Sequence, residues 1–217
     1  MRTRSLTLAL WFIILAAIVG GQQKLASDIH PESLSRLPPL QRSALDDEGK
    51  QAWDEIAGPS GNLPKSGPAA VSIYSPKAAR AIQALNQSLR ATVVGSRFFE
   101  LCALIGAREV DQQYEWSGHE PAAVRAGLEQ SVIDVVKFNK DVTGLSDKDA
   151  TVIRLGRAML RDHKVSSELW AKTAELFGRR GAVEITAIIG DYVMAGIMLN
   201  AVDQQLPAER KPLLPPR

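Results

Sequence analysis

Cysteine is nearly absent from this sequence. Its 217 residues include only Cys102, which excludes an intramolecular disulfide, a CxxC redox pair and any zinc site built on two or more thiolates. Histidine is scarce as well. His30, His119 and His163 are scattered along the chain, so no metal site is assigned. Neither sign of charge dominates: 26 Lys plus Arg stand against 24 Asp plus Glu, for a net charge of +2. No basic block is dense enough to neutralise a run of phosphates, and nucleic acid is not an expected partner. Strand patterning is missing too, since no run of about four to eight residues alternates apolar with polar. What remains is ordinary globular composition, 45% hydrophobic and 23% charged, arranged at helical spacing. The expected class is all-α.

The N-terminus carries its own signal. Arg2 and Arg4 precede the apolar run Leu6–Val19, and Gly20-Gly21 follows, the order of a secretory leader. The run is shorter than the roughly 20 residues a bilayer-spanning helix needs. Residues 1–21 therefore read as a signal peptide or, if uncleaved, a signal anchor, and the protein as exported, periplasmic or secreted. Contact with a membrane is expected only in the uncleaved case.

Residues 22–45 are polar and turn-rich, and Pro38-Pro39 forbids a helix through that point, so this stretch reads as a linker or wrapping arm. Residues 46–206 read as one helical domain. Asp46 or Asp47 can cap a helix to about Ile56, Ser75-Pro76 opens another, and Phe98–Val110 is apolar around most of its girth and so buried. Gln112–Glu120 is helical, with Pro121 expected to open a separate short helix to Gly127. Further helices start near Ser131, at Ser146-Asp147, at Ser166 or Ser167 ending at Gly178, and at Ala182. The tail 207–217 lacks periodicity and reads as mobile.

Groups able to do chemistry are densest at Glu100 and at Gln112–His119. Glu115 and His119 are four apart, so on a helix they share a face at roughly 6 Å between Cβ atoms. A carboxylate orients an imidazole, and an imidazole near neutrality serves as general acid or base. The same spacing also suits a solvated face, and spacing alone leaves both readings open. Glu100 sits between Phe99 and Leu101, where an unpaired carboxylate is costly; His119 is the natural partner. Tyr192 and Asn200 are polar positions on the last apolar helix, either satisfied core groups or pocket lining.

The order of these pieces resembles the carboxymuconolactone decarboxylase-like family, which includes the alkyl-hydroperoxidase D proteins. The likeness runs over about residues 37–206. It rests on RLPPL (36–40), GPAAVSIYSPKAARAIQALNQSLR (67–90), FELCALIGAREVDQQYEWSGHEPAAVRAG (99–127) and the later helical segments, and the QYEWSGH element is the most telling. The resemblance implies an all-helical domain forming a homo-oligomer, a trimer or hexamer. It also implies a relay glutamate at Glu100 and a site histidine at His119. The CxxC of the peroxidase branch falls at Gln112 and Glu115, so a dithiol mechanism is unavailable.

The expectation that follows is cofactor-independent acid-base chemistry, a decarboxylation or proton transfer, on a small carboxylated or lactone-type substrate. His119, Glu100 and Glu115 are the expected catalytic groups, and Tyr114, Trp116 and Gln112 the expected substrate-binding ones. The alternatives are a non-catalytic ligand-binding or oligomeric scaffold and a peroxidase or peroxiredoxin-type activity through Cys102 alone.

Overall fold

The computed structural model describes residues 25–217, and the expected leader, residues 1–21, lies outside them. Eight α-helices make up the described part: α1 (Asp47–Ala57), α2 (Pro68–Ser72), α3 (Pro76–Arg90), α4 (Gly95–Glu109), α5 (Gln113–Arg125), α6 (Gln130–Lys137), α7 (Asp147–Leu160) and α8 (Ser167–Ala201). Among the described residues there is no strand, and the class is all-α.

Several helix starts follow directly from their cap residues. Asp46 accepts from the Gly49 N–H at 2.8 Å, Ser146 from Asp149 at 3.2 Å and Ser166 from Leu169 at 3.2 Å. Such a cap contributes about 1 kcal/mol by satisfying an orphan donor of the first turn. Gln112 caps α5 by accepting from the Tyr114 N–H at 2.7 Å.

One helix boundary differs from the sequence reading. Pro121 lies inside α5 rather than opening a new helix. It is exposed, and α5 continues past it because Ala123, two residues further on, is fully buried and holds the segment against the core. The two expected C-terminal helices are both present within α8 and are separated where expected, at Gly178, where φ 70° and ψ 163° leave helical space.

The core is built around α4, whose residues from Phe99 to Arg108 are all buried. It packs against α8, α5, α6 and α7, so an apolar girth rather than a stripe is what its position demands. Gly106 sets the crossing of α4 with α8. A Cβ there would lie 2.8 Å from Tyr192 Cβ and 3.0 Å from the Ile189 carbonyl oxygen, so the absence of a side chain allows the two backbones to approach. That approach brings Asp191 and Tyr192 of α8 close to α4 and α5.

The described part of the arm and the C-terminal tail both lie against the helical domain. In the arm, the Arg36 N–H donates to the Val202 carbonyl at 2.8 Å, and the Gln204 side chain donates to the carbonyls of Ser33 and Leu34. The tail 207–217 is docked, whereas its lack of periodicity suggested mobility. The Leu213 N–H donates to Ser117, the Leu214 N–H to Gln113, and Arg108 to the Pro215 carbonyl. Leu213 and Leu214 pack against the core, which gives the tail an apolar reason to stay.

Candidate functional site

A pocket of about 360 Å³ opens between α3, α5 and α8, with α2 and the tail closing its edges. Its polar lining includes Gln83, Asn86 and Arg90 of α3, Tyr114, Glu115 and His119 of α5, Asp191 and Tyr192 of α8, and Arg210 of the tail. The wall near α2 depends on Gly67. Its φ of 90° suits glycine, and a Cβ there would meet the Tyr114 hydroxyl at 2.6 Å.

The imidazole of His119 stands between two carboxylates. Its Nδ1 is 2.7 Å from Glu100 Oε2, and its Nε2 is 3.6 Å from Glu115 Oε2. Glu100 comes from α4 behind the pocket wall and is only 8% exposed. An ionised carboxylate can only accept, so Nδ1 carries the hydrogen and Nε2 is left facing Glu115. The ring also meets Tyr192 edge-to-face, with centroids 4.6 Å apart, which holds its plane.

Glu115 is 5% exposed, and no described residue donates a hydrogen bond to its carboxylate. Burial pushes its pKa up, and the neighbouring Asp191 charge adds to this, while His119, Arg210 and Arg90 oppose it. Asp191 is also pushed up by burial, against the Asn86 amide that donates to it at 2.9 Å and the Arg90 charge. The pocket thus holds two carboxyl groups biased toward their protonated forms, one of them beside an imidazole nitrogen. Such an arrangement can store a proton and deliver it to a bound molecule.

Of the residues singled out in the sequence, His119, Glu115 and Tyr114 line the pocket, with Glu100 bonded behind His119. Trp116 and Gln112 do not reach it, which corrects their expected role as substrate contacts. Trp116 is fully buried in the core, its indole N–H donating to Glu120. Gln112 is 3% exposed and spends its amide on the cap of α5 and on Asn200, to which it donates at 2.7 Å. Asn200 is likewise structural, donating to the Val110 carbonyl, whereas Tyr192 lines the pocket. Cys102 is fully buried in apolar surroundings, which pushes its thiol up, away from the reactive thiolate.

Sequence reasoning missed Asn86, Arg90, Asp191 and Arg210. A signal existed only for Asp191. It is a charge inside the apolar run Ile185–Leu199, the same irregularity that drew attention to Glu100.

No protein-family model matches the chain, and no curated protein matches it in sequence. Solved structures do match. An uncharacterized peroxidase-related protein from Silicibacter sp. TM1040 has a TM-score of 0.65 at 15% identity, over 83% of this chain and 94% of that one. The alkylhydroperoxidase AhpD core of an uncharacterized peroxidase-related protein from Ralstonia eutropha JMP134 has a TM-score of 0.61 at 20% identity, over 83% and 95%. A debrominase in complex with 2,3,4-tribromopyrrole has a TM-score of 0.61 at 19% identity, over 79% and 91%. At these identities the likeness establishes the fold alone: the chain has the all-helical architecture of AhpD-like proteins.

Proposed function

We propose that this protein is a cofactor-independent acid-base enzyme, acting by decarboxylation or proton transfer on a small carboxylated or lactone-type substrate. The observation that carries this reading is His119 held at 2.7 Å by Glu100 and facing the buried Glu115 across 3.6 Å on the wall of an open pocket. For a vinylogous acid, the bond between the chain carbon and the carboxylate breaks and carbon dioxide leaves. The electron pair moves into the conjugated system as a dienolate. A proton held on Glu115 or His119 Nε2 is then delivered to carbon and replaced from solvent. Glu100 keeps the imidazole in the tautomer this requires. That a protein of the same fold is seen with a small heteroaromatic ring supports a small-molecule occupant.

Wild-type protein incubated in deuterium oxide with vinylogous β-keto acids and enol lactones should release carbon dioxide or incorporate deuterium beside the carbonyl, as read by NMR. His119→Gln should abolish this, and Glu115→Gln should reduce it about 10²- to 10⁴-fold. Wild-type protein inert toward the whole panel, or His119→Gln as active as wild type, would leave the non-catalytic scaffold as the better reading. The leader-like residues 1–21 support export, which N-terminal sequencing of the mature protein tests. A cytoplasmic chain still starting at Met1 would refute it.

A further inference from the structure

We propose that Arg90 and Arg210 form a carboxylate-binding subsite at the mouth of this pocket, so that the docked C-terminal tail is part of the substrate site. The inference deepens the acid-base reading and rests on it for the nature of the occupant. Its starting point is a turn in which the Arg210 N–H donates to the Pro207 carbonyl at 2.9 Å. The turn is fixed on both sides. Upstream, Gln204 is tied to Ser33, Leu34 and the Gly67 N–H; downstream, the Leu213 and Leu214 N–H groups are held by α5. Between these anchors the Arg210 guanidinium lies over the Tyr114 ring, 4.6 Å from its centroid, on the pocket lining.

Arg90 meets the same pocket from α3. Its guanidinium stacks on Phe99 at 4.8 Å and donates to Asn86 Oδ1 at 2.9 Å and to the Tyr192 hydroxyl at 3.3 Å. Stacking fixes a planar donor fork while leaving N–H groups free, the arrangement that suits a carboxylate. Neither arginine is in an ion pair among the described residues, whereas Arg217 of the same tail is bound to Glu109 and Asp111. Burial raises the pKa of the nearby acidic groups, Glu115 and Asp191, which works against their opposing an entering anion. A carboxylate seated there would extend the rest of a small substrate toward Glu115 and His119.

The test is binding of benzoate and of its neutral isostere benzamide to the full chain, read by NMR shifts of the pocket residues. Benzoate should bind wild type more tightly than benzamide. Arg210→Gln should weaken benzoate about ten- to hundredfold, the loss expected for a charge-assisted hydrogen bond, with benzamide unchanged. Arg210→Lys should recover only part of the loss, because the charge returns without the fork. Arg90→Gln should act in the same direction, and the exposed Arg210 provides the variant that leaves the fold intact. Inorganic phosphate is the control for a nonselective anion site, and phosphate displacing benzoate at equal concentration would overturn the carboxylate assignment. Benzoate bound equally by wild type and Arg210→Gln, or not bound at all at about 50 mM, would overturn the subsite. Binding is read without turnover, so either result is separate from the fate of the acid-base reading.

Discussion

Replacing Glu115 by glutamine should change how stability depends on pH. Burial raises the folded-state pKa of Glu115 above its ordinary value of 4.5, so between those two values the folded protein binds more protons than the unfolded chain. Stability therefore falls as pH rises through this window, being greatest below the unfolded pKa and lost above the folded one. One group can contribute a slope of at most about 1.4 kcal/mol per pH unit. For a domain of this size, that corresponds to a melting-temperature drop of about 3 to 6 °C per unit. Neighbouring charges set the width of this window: His119 on α5 itself, Arg90 from α3 and Arg210 from the tail narrow it when charged, and Asp191 from α8 widens it. Urea unfolding of wild type and Glu115→Gln from about pH 4 to pH 8 reads the effect, because groups that do not interact with Glu115 cancel in the difference. The variant should gain on wild type as pH rises, and Asp191→Asn should gain in the same sense. A difference between wild type and Glu115→Gln that stays constant with pH would refute the claim that burial raises the pKa of this carboxyl.

Gly106→Ala should cost about 1 to 3 kcal/mol, because its Cβ would press on the Ile189 carbonyl and Tyr192 Cβ at the α4 and α8 crossing; calorimetry should show a lower melting temperature. Cys102, fully buried and with its thiol pushed up, should resist a thiol reagent such as dithionitrobenzoate in the native protein and react on denaturation; rapid native labelling would reopen a thiol mechanism. We further propose that the protein self-associates through the exposed side of α8, where Val183 is 59% and Ile197 54% exposed. Light scattering should give an oligomer that Ile197→Glu weakens, and a wild-type monomer at micromolar concentrations would end that reading.

The helices were legible where local chemistry decides them. Asp46, Ser146 and Ser166 each satisfy an orphan N–H of the first turn, an interaction confined to about four residues and so visible in sequence. Glu100 and His119 were legible for a different reason: a carboxylate embedded among Phe99, Leu101 and Cys102 needs a donor wherever the chain leads. The errors concern which face of a helix points where. Gln112, the cap of α5, and Trp116 on its first turns both turn into the protein interior, whereas Glu115 and His119 share the side of α5 that faces the pocket. Period alone separates the two sides but does not reveal that α4 and the rest of the core cover the first. Pro121 misled because its cost, one missing hydrogen bond, is local, while the burial of Ala123 that outweighs it depends on packing.

The tail was the least legible part, and the reason is informative. Its attachment uses backbone N–H groups that donate to Ser117 and Gln113, a backbone carbonyl that accepts from Arg108, the side chains of two leucines, and Arg217 paired with Glu109 and Asp111. None of these leaves a periodic trace in the tail itself, because the specificity resides in α4 and α5. The pocket is therefore assembled from two kinds of information. Among the proposed proton-handling groups, Glu100 and Asp191 are charges that interrupt apolar helices and Glu115 is a buried carboxyl on the polar α5, and each carries a burial cost that only a ligand, a proton or a hydrogen bond offsets. The guanidinium of Arg210 is an exposed charge with no such cost, so its place in the site follows from where the turn at Pro207–Arg210 is pinned. A search for buried charges finds the chemistry of such a site and overlooks the groups that would select its substrate.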